Sequence, residues 1–357
     1  MGMARNKPSR SLSSKRNGRI KNMNWLNFDD RHLLQLRICE LGLQLKGSRL
    51  EGPIEQLNAE LEQRNLRFRP HTWLSSEWFS PDGVPGIGIP FFLAHPRLMR
   101  LEKKQMLEVE GGSHTWCMQI LRHEAGHAID TAFRLHRKKR WRELFGKYTT
   151  PYPDHYRPKP FSRDYVLHLH WWYSQAHPAE DFAETFAVWL NPNSRWRQRY
   201  QGWRALRKLE YVDEIMQQIA GQPAPVKNRI LIDPVGDLPM TLGGYYRQKR
   251  LRYLETWPDF YDHDLRRLFS DAKEYSRQPT AASFLRTIRS ELRTVVADWT
   301  GEYQYTIDQV VLDMIDRCRE LSLRLTRPKE EVRLEAIVMV TMQTMNYMFS
   351  ANHRIAL

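Results

Sequence analysis

Residues His123, Glu124, Ala125, Gly126 and His127 spell H-E-x-x-H, and this run limits what the chain can be more than any other. Two histidines four positions apart lie one above the other on a helix, where 3.6 residues make a turn. There both imidazoles can reach one metal ion, and the intervening Glu124 can reach a water held on it. The flanks agree with a helix over residues 115–135, which hold no proline and only Gly126 as glycine. Trp116, Ile120, Ala128, Ile129 and Phe133 suit a largely buried helix. Two imidazoles and a carboxylate on such a helix need partners, because burying them unpaired costs several kcal/mol. A pair of hydrogen-bonded histidines on an ordinary helix is the competing reading.

A catalytic metal site takes three protein ligands and keeps a fourth position open. The third candidate lies in His177-Pro178-Ala179-Glu180-Asp181-Phe182-Ala183-Glu184. Pro178 marks a helix start. Glu180 and Glu184 then share one face, while Phe182, Phe186 and Trp189 mark an apolar side. Glu180 is assigned to the metal, and Glu184 to a supporting role in which it accepts a histidine N–H and fixes its tautomer. Asp130, three residues past His127, is a second candidate for that support, with a solvated acid or local salt bridge as its alternative. Asp181 is the rival ligand, but it points about 100° away from Glu180 on a helix.

HEAGH followed by HPAEDFAETFA resembles the zinc-binding metallopeptidases of gluzincin type. The E-x-F-A-E run is similar to that of the lethal-factor catalytic domain and of the Mlc titration factor. The resemblance spans roughly residues 30–220 and includes the segment 81–98. It implies one zinc ion on His123, His127 and Glu180, with Glu124 as catalytic base. It also implies a tyrosine seven residues before the third ligand, which here is Tyr173. Where some relatives carry a cysteine-rich zinc ribbon in front, this chain has a basic tail. In zincin folds an edge strand pairs with extended substrate, a role that falls on Gly86, Ile87, Gly88 and Ile89. A purely structural strand and turn is the alternative there.

The expected reaction is hydrolysis of a peptide or related amide bond. Glu124 accepts a proton from water and returns it to the leaving amine. Tyr173 is the candidate hydrogen-bond donor to the developing oxyanion, against a packing role beside Trp171 and Trp172. His168, His170 and His177 lie in the same stretch as substitute donors. Two other classes stand beside this one: a non-catalytic metal-containing interaction protein, and a nucleic-acid-associated protein using the basic tail.

The formal charge of +14 keeps nucleic-acid contact open without favouring it, because solvated basic faces explain the same clusters. Those clusters fall at 137–140, 195–208 and 247–252, and residues 1–25 form a basic tail expected to be disordered. The tail has no apolar segment, so no secretory signal is expected. No stretch approaches a membrane span. Three scattered cysteines, Cys39, Cys117 and Cys318, exclude a disulfide framework and a thiolate metal site. A cytoplasmic setting follows.

The fold class expected is α+β: a zincin-like catalytic domain over 26–220 with a small mixed sheet and an active-site helix, then a mainly α-helical lobe over 221–357. Helices are expected from Asp29-Asp30 to Gly47, over 53–62, 193–220, 262–277, 281–299, 306–325 and 329–349. Short strands are expected at 66–68, 72–74 and 87–93. Residues 221–225 read as a hinge, 137–177 as a long cleft-lining loop, and Gly243 to Tyr246 as a turn that can face the cleft. Met339, Met342, Met345 and Met348 read as a packed seam.

Overall fold

A computed structural model describes residues 25–153, 156–253 and 261–349; the basic tail through residue 24 lies outside them. Helices dominate the described residues, beside two pairs of short strands, so the α+β reading holds at that level. The first part runs α1 (Asp30–Leu33), α2 (Glu51–Gln63), β1 (His71–Ser75), β2 (Gly86–Pro90), α3 (Pro96–Met106), α4 (His114–Phe133) and α5 (Lys139–Phe145). It continues through α6 (Pro178–Leu190), α7 (Trp196–Arg199), α8 (Ala205–Ile219) and α9 (Leu242–Arg252). Then follow α10 (Tyr261–Leu268), β3 (Phe269–Ser270), α11 (Ala281–Thr300), α12 (Gln304–Glu320), β4 (Arg324–Leu325) and α13 (Lys329–Phe349).

Two hydrophobic cores form. The first gathers residues from Trp25 to Tyr246, and the second gathers residues from Tyr261 to Val340. The change of core therefore comes later than residue 220. The 221–225 stretch is tied into the first core rather than hinged: Gly221 N–H donates to Asn65 O at 2.9 Å and Val226 N–H to Ala132 O at 3.1 Å. Tyr245 and Tyr246 are buried packing residues of α9, and the Tyr245 hydroxyl donates to Ser76 O at 3.1 Å.

Several expected elements differ for tertiary reasons. Asp29 does cap a helix, accepting His32 N–H at 2.8 Å, but α1 stops at Leu33. The following backbone pairs across the fold instead, with Ile38 N–H on Met240 O at 3.0 Å and Cys39 N–H on Leu238 O at 3.1 Å. Residues 66–68 form no strand. The helix expected over 193–220 is broken into α7 and α8 around Gly202, which adopts φ +78°. The helix expected over 262–277 ends at Leu268, because Phe269 and Ser270 pair antiparallel with Leu325 and Arg324. Met339 is 6% exposed but Met342 is 42% exposed, so the methionines do not make one seam. A three-residue step drifts about 60° around an α-helix each time.

β1 and β2 are parallel, in register from His71 with Gly86 to Ser75 with Pro90. The far side of β2 is also occupied: Gly88 N–H donates to Phe79 O at 2.8 Å, and Phe79 N–H to Gly88 O at 3.3 Å. Every β2 residue is buried. Ile87 and Ile89 are fully enclosed, and a Cβ on Gly88 would sit 2.7 Å from the Phe79 ring. This corrects the substrate-strand expectation for Gly86, Ile87, Gly88 and Ile89. The glycines let aromatic rings pack on the sheet, and the Gly88 N–H needed for β-augmentation is already used.

Candidate metal centre

Two helices build the site. Ser113 caps α4 by accepting Trp116 N–H at 3.2 Å, and His177 caps α6 through its Nδ1, which accepts Ala179 N–H at 3.1 Å ahead of Pro178. The helices cross at Gly126 and Ala183. A Cβ on Gly126 would lie 2.7 Å from Ala183 Cα and 3.0 Å from its carbonyl oxygen. The missing side chain lets the backbones approach, and that approach brings Glu180 to the two histidines. α4 is also tied to α2 by a buried bidentate pair, Arg122 Nε to Glu60 Oε2 at 2.7 Å and Nη2 to Oε1 at 2.6 Å.

His123 Nε2, His127 Nε2 and Glu180 Oε2 form a triangle with sides of 3.1, 3.1 and 3.1 Å. Donors around a tetrahedral ion with bonds of about 2.0–2.1 Å stand roughly 3.3 Å apart, so this triangle fits a divalent metal. Two imidazole nitrogens and a carboxylate oxygen aimed at one point are also the donor set such an ion prefers. His123, His127 and Glu180 can therefore hold a metal ion.

The supporting contacts fix these ligands. Glu184 Oε1 lies 2.8 Å from His123 Nδ1, and its Oε2 accepts Leu169 N–H at 2.8 Å. A carboxylate only accepts, so it assigns the imidazole proton to Nδ1 and leaves Nε2 a lone pair for the metal. Burial opposes charge on His123, but its bonds to Glu180 and Glu184 hold its pKa well above the ordinary value. Burial likewise works against a Glu180 carboxylate, yet His127 and His123 keep it well below the usual range.

Sequence reasoning missed Tyr152, whose hydroxyl donates to Glu180 Oε1 at 2.6 Å. Its ring stacks on His177 with centroids 3.8 Å apart, and His177 Nε2 lies 2.8 Å from Thr150 O. One short piece of loop thus grips both the Glu180 carboxylate and the cap of its helix. No spacing rule points to Tyr152.

Asp181, the rival ligand, turns away and takes Lys208 Nζ at 2.6 Å. Asp130 is a correction. Its oxygens accept the His136 backbone N–H at 2.9 Å and face His136 Nδ1 at 2.5 Å, so its hydrogen bonding is spent away from the histidine pair. Arg134 adopts φ +53° at the end of α4 and folds the chain back, which delivers His136 to Asp130.

Glu124 and Tyr173 open on a cleft of about 690 Å³ that is also lined by His123 and His170. Burial raises the Glu124 pKa against the lowering effect of His123 and His127. Tyr173 sits in a 3-10 turn over His170–Gln175, its ring centroid 5.7 Å from that of His123. Burial first, then the Glu180 charge, pushes its pKa well up, so the phenol stays protonated as a donor. His168 and His177 serve structure: His168 Nε2 lies 2.9 Å from Gln119 O, and His177 is the cap of α6. The cleft lies between the cores, with Ala297, Asp298 and Gly301 to Gln304 facing the α4 side.

Several cations in the basic clusters are paired with acids of the same chain, Lys208 and Lys249 in the interior and the others at the surface. Lys208 pairs with Asp181, Lys249 with Glu102, Arg140 with Glu214, Arg197 with Asp213 and Arg252 with Glu77. Among the described residues no helix is long and apolar enough to cross a membrane. No known family, curated protein or solved structure matches the chain.

Proposed function

We propose that the chain is a zinc-dependent peptide hydrolase of gluzincin type, with a zincin-like α+β half and a helical lobe facing it across the cleft. The observation that carries this reading is the 3.1 Å donor triangle of His123, His127 and Glu180 beside a cleft-facing Glu124. His123, His127 and Glu180 hold the zinc. When bound, zinc makes a water acidic near neutral pH and polarises a substrate carbonyl. Glu124, whose pKa is raised by burial, takes the water proton and later delivers it to the departing amine. As the carbonyl carbon becomes tetrahedral, the Tyr173 hydroxyl meets the negative charge gathering on oxygen. Glu184 and Tyr152 keep His123 and Glu180 from turning.

Peptides or proteins are the substrates of this reading. The thiols of Cys39, Cys117 and Cys318 are free, which favours a reducing, cytoplasmic setting. Digestion of a peptide library by zinc-loaded protein, with Glu124→Gln alongside, tests the proposal. The variant keeps one zinc per chain and cleaves nothing, whereas His123→Ala loses the zinc. Peptide turnover surviving in Glu124→Gln overturns the mechanism.

A further inference from the structure

The lining of the cleft reverses the charge of the chain that forms it. Lysines and arginines outnumber acids 55 to 41 overall, yet the cleft is lined by Glu77, Glu108, Glu110, Glu124, Asp298 and Glu302 against Lys103, Lys249 and Arg252. Two of those three cations are already paired with acids of the chain. Lys249 Nζ is 2.7 Å from Glu102 Oε1, and Arg252 pairs with Glu77. That leaves the wall made by Glu108 and Glu110 short of positive charge.

Glu108 shows the deficit directly. Its Oε1 is closed off from solvent and has no hydrogen-bond partner among the described residues, although the residue borders both the cleft and a small void behind it. A buried carboxyl oxygen without a donor is rare in a folded protein unless something else supplies one. Burial, then the Glu110 and Glu302 charges, push the Glu108 carboxyl up to about 8. Burial also raises Glu110 to about 7 despite Lys249, and Glu110 is within electrostatic reach of Glu124. The acidic wall and the catalytic base thus line one cleft. The same cleft is lined by apolar surfaces of Trp78, Phe92, Val109, Trp116 and Ile120, suited to an aliphatic stem that carries its charge at the tip.

We infer that the Glu108–Glu110 wall of the cleft binds an ammonium or guanidinium group of the substrate, so that the hydrolase acts on peptides bearing a positive charge next to the cleaved bond. This rests on the hydrolase reading for the reaction, but not for the binding. The charged group is either a lysine or arginine side chain or a free α-amine. A cation at the wall completes the pairing of the two carboxylates.

Binding of four small amides to the full-length Glu124→Gln chain, with and without added zinc, tests the site by calorimetry. N-acetylarginine amide carries only the guanidinium, norleucine amide only the α-amine, arginine amide both, and N-acetylnorleucine amide neither. At least one charged ligand is expected to bind about tenfold tighter than N-acetylnorleucine amide, as one ion pair in a partly closed site can supply. The two singly charged ligands tell side chain from terminus. The preference should vanish when Glu108→Gln and Glu110→Gln are combined; Glu108→Gln alone, which keeps the side-chain volume, serves if the combination does not fold. Equal binding of all four ligands, or a preference that survives both substitutions, overturns the inference. A charge preference in a wild-type protein that cleaves no peptide leaves the cation site standing and removes the hydrolase. Cleavage of neutral and basic peptides alike does the reverse.

Discussion

The α-carbon of Ala183 stands where a side chain on Gly126 would begin: an added Cβ would come within 2.7 Å of it. Both residues belong to the metal-site motifs, one between His123 and His127 and the other between Glu180 and Glu184. The motif glycine therefore sets the spacing of the two helices. Gly126→Ala gains helix propensity of about 1 kcal/mol but meets backbone that cannot yield. Overpacking of this kind costs roughly 1–3 kcal/mol. Zinc affinity should fall at least tenfold in a chelator competition, along with the melting temperature. Unchanged affinity would show that the helix crossing does not position Glu180.

Tyr152→Phe removes one hydroxyl and leaves the ring on His177. The carboxylate of Glu180 then loses its 2.6 Å donor. Loss of a supporting hydrogen bond of this type commonly costs 10–100-fold in metal affinity. We expect about tenfold weaker zinc binding with little change in melting temperature. Equal affinity in the two proteins would count against a positioning role for Tyr152.

Gly88→Ala tests the corrected view of β2. The new methyl meets Phe79 Cε1 at 2.7 Å and Cζ at 2.8 Å, so the sheet must shift. Stability should drop by roughly 1–3 kcal/mol in denaturant unfolding, while KM for a cleaved peptide stays the same. A raised KM at unaltered stability would restore β2 as a substrate strand.

Glu108 makes stability depend on pH. Burial, helped by Glu110 and Glu302, lifts its carboxyl from 4.5 to about 8. The folded state thus holds this proton more tightly than the unfolded chain does. The resulting stabilisation is full below about pH 4.5 and is lost as pH rises through about 8. Between pH 5 and pH 8.5 the wild-type melting temperature should fall by several degrees relative to Glu108→Gln. Parallel curves for the two proteins would rule the effect out.

Local features of the site were legible in the sequence because a helix has a fixed period. His123 and His127 share a face by spacing alone, and Glu184 four residues after Glu180 separates Glu180 from Asp181 on the same ground. Contacts made by loops carry no such period. Tyr152 reaches Glu180 only because residues 146–152 fold back over the start of α6, and His136 claims Asp130 only through the left-handed turn at Arg134. The free edge expected at Gly88 failed for the same reason, since Phe79 pairs with it after a turn that no alternation pattern encodes. Helix boundaries were lost where distant backbone competed, as at Ile38 with Met240 and at Phe269 with Leu325.

Neighbouring acids on α6 look in different directions. Glu180 joins the donor triangle, and Asp181 holds the Lys208 ammonium of α8 at 2.6 Å in the protein interior. A helix gripped on two sides cannot roll about its own axis. Lys208 thus helps fix the rotation of α6, and with it the aim of a carboxylate about 100° around the helix. A lysine outside the donor triangle thereby helps to set the direction of the Glu180 carboxylate.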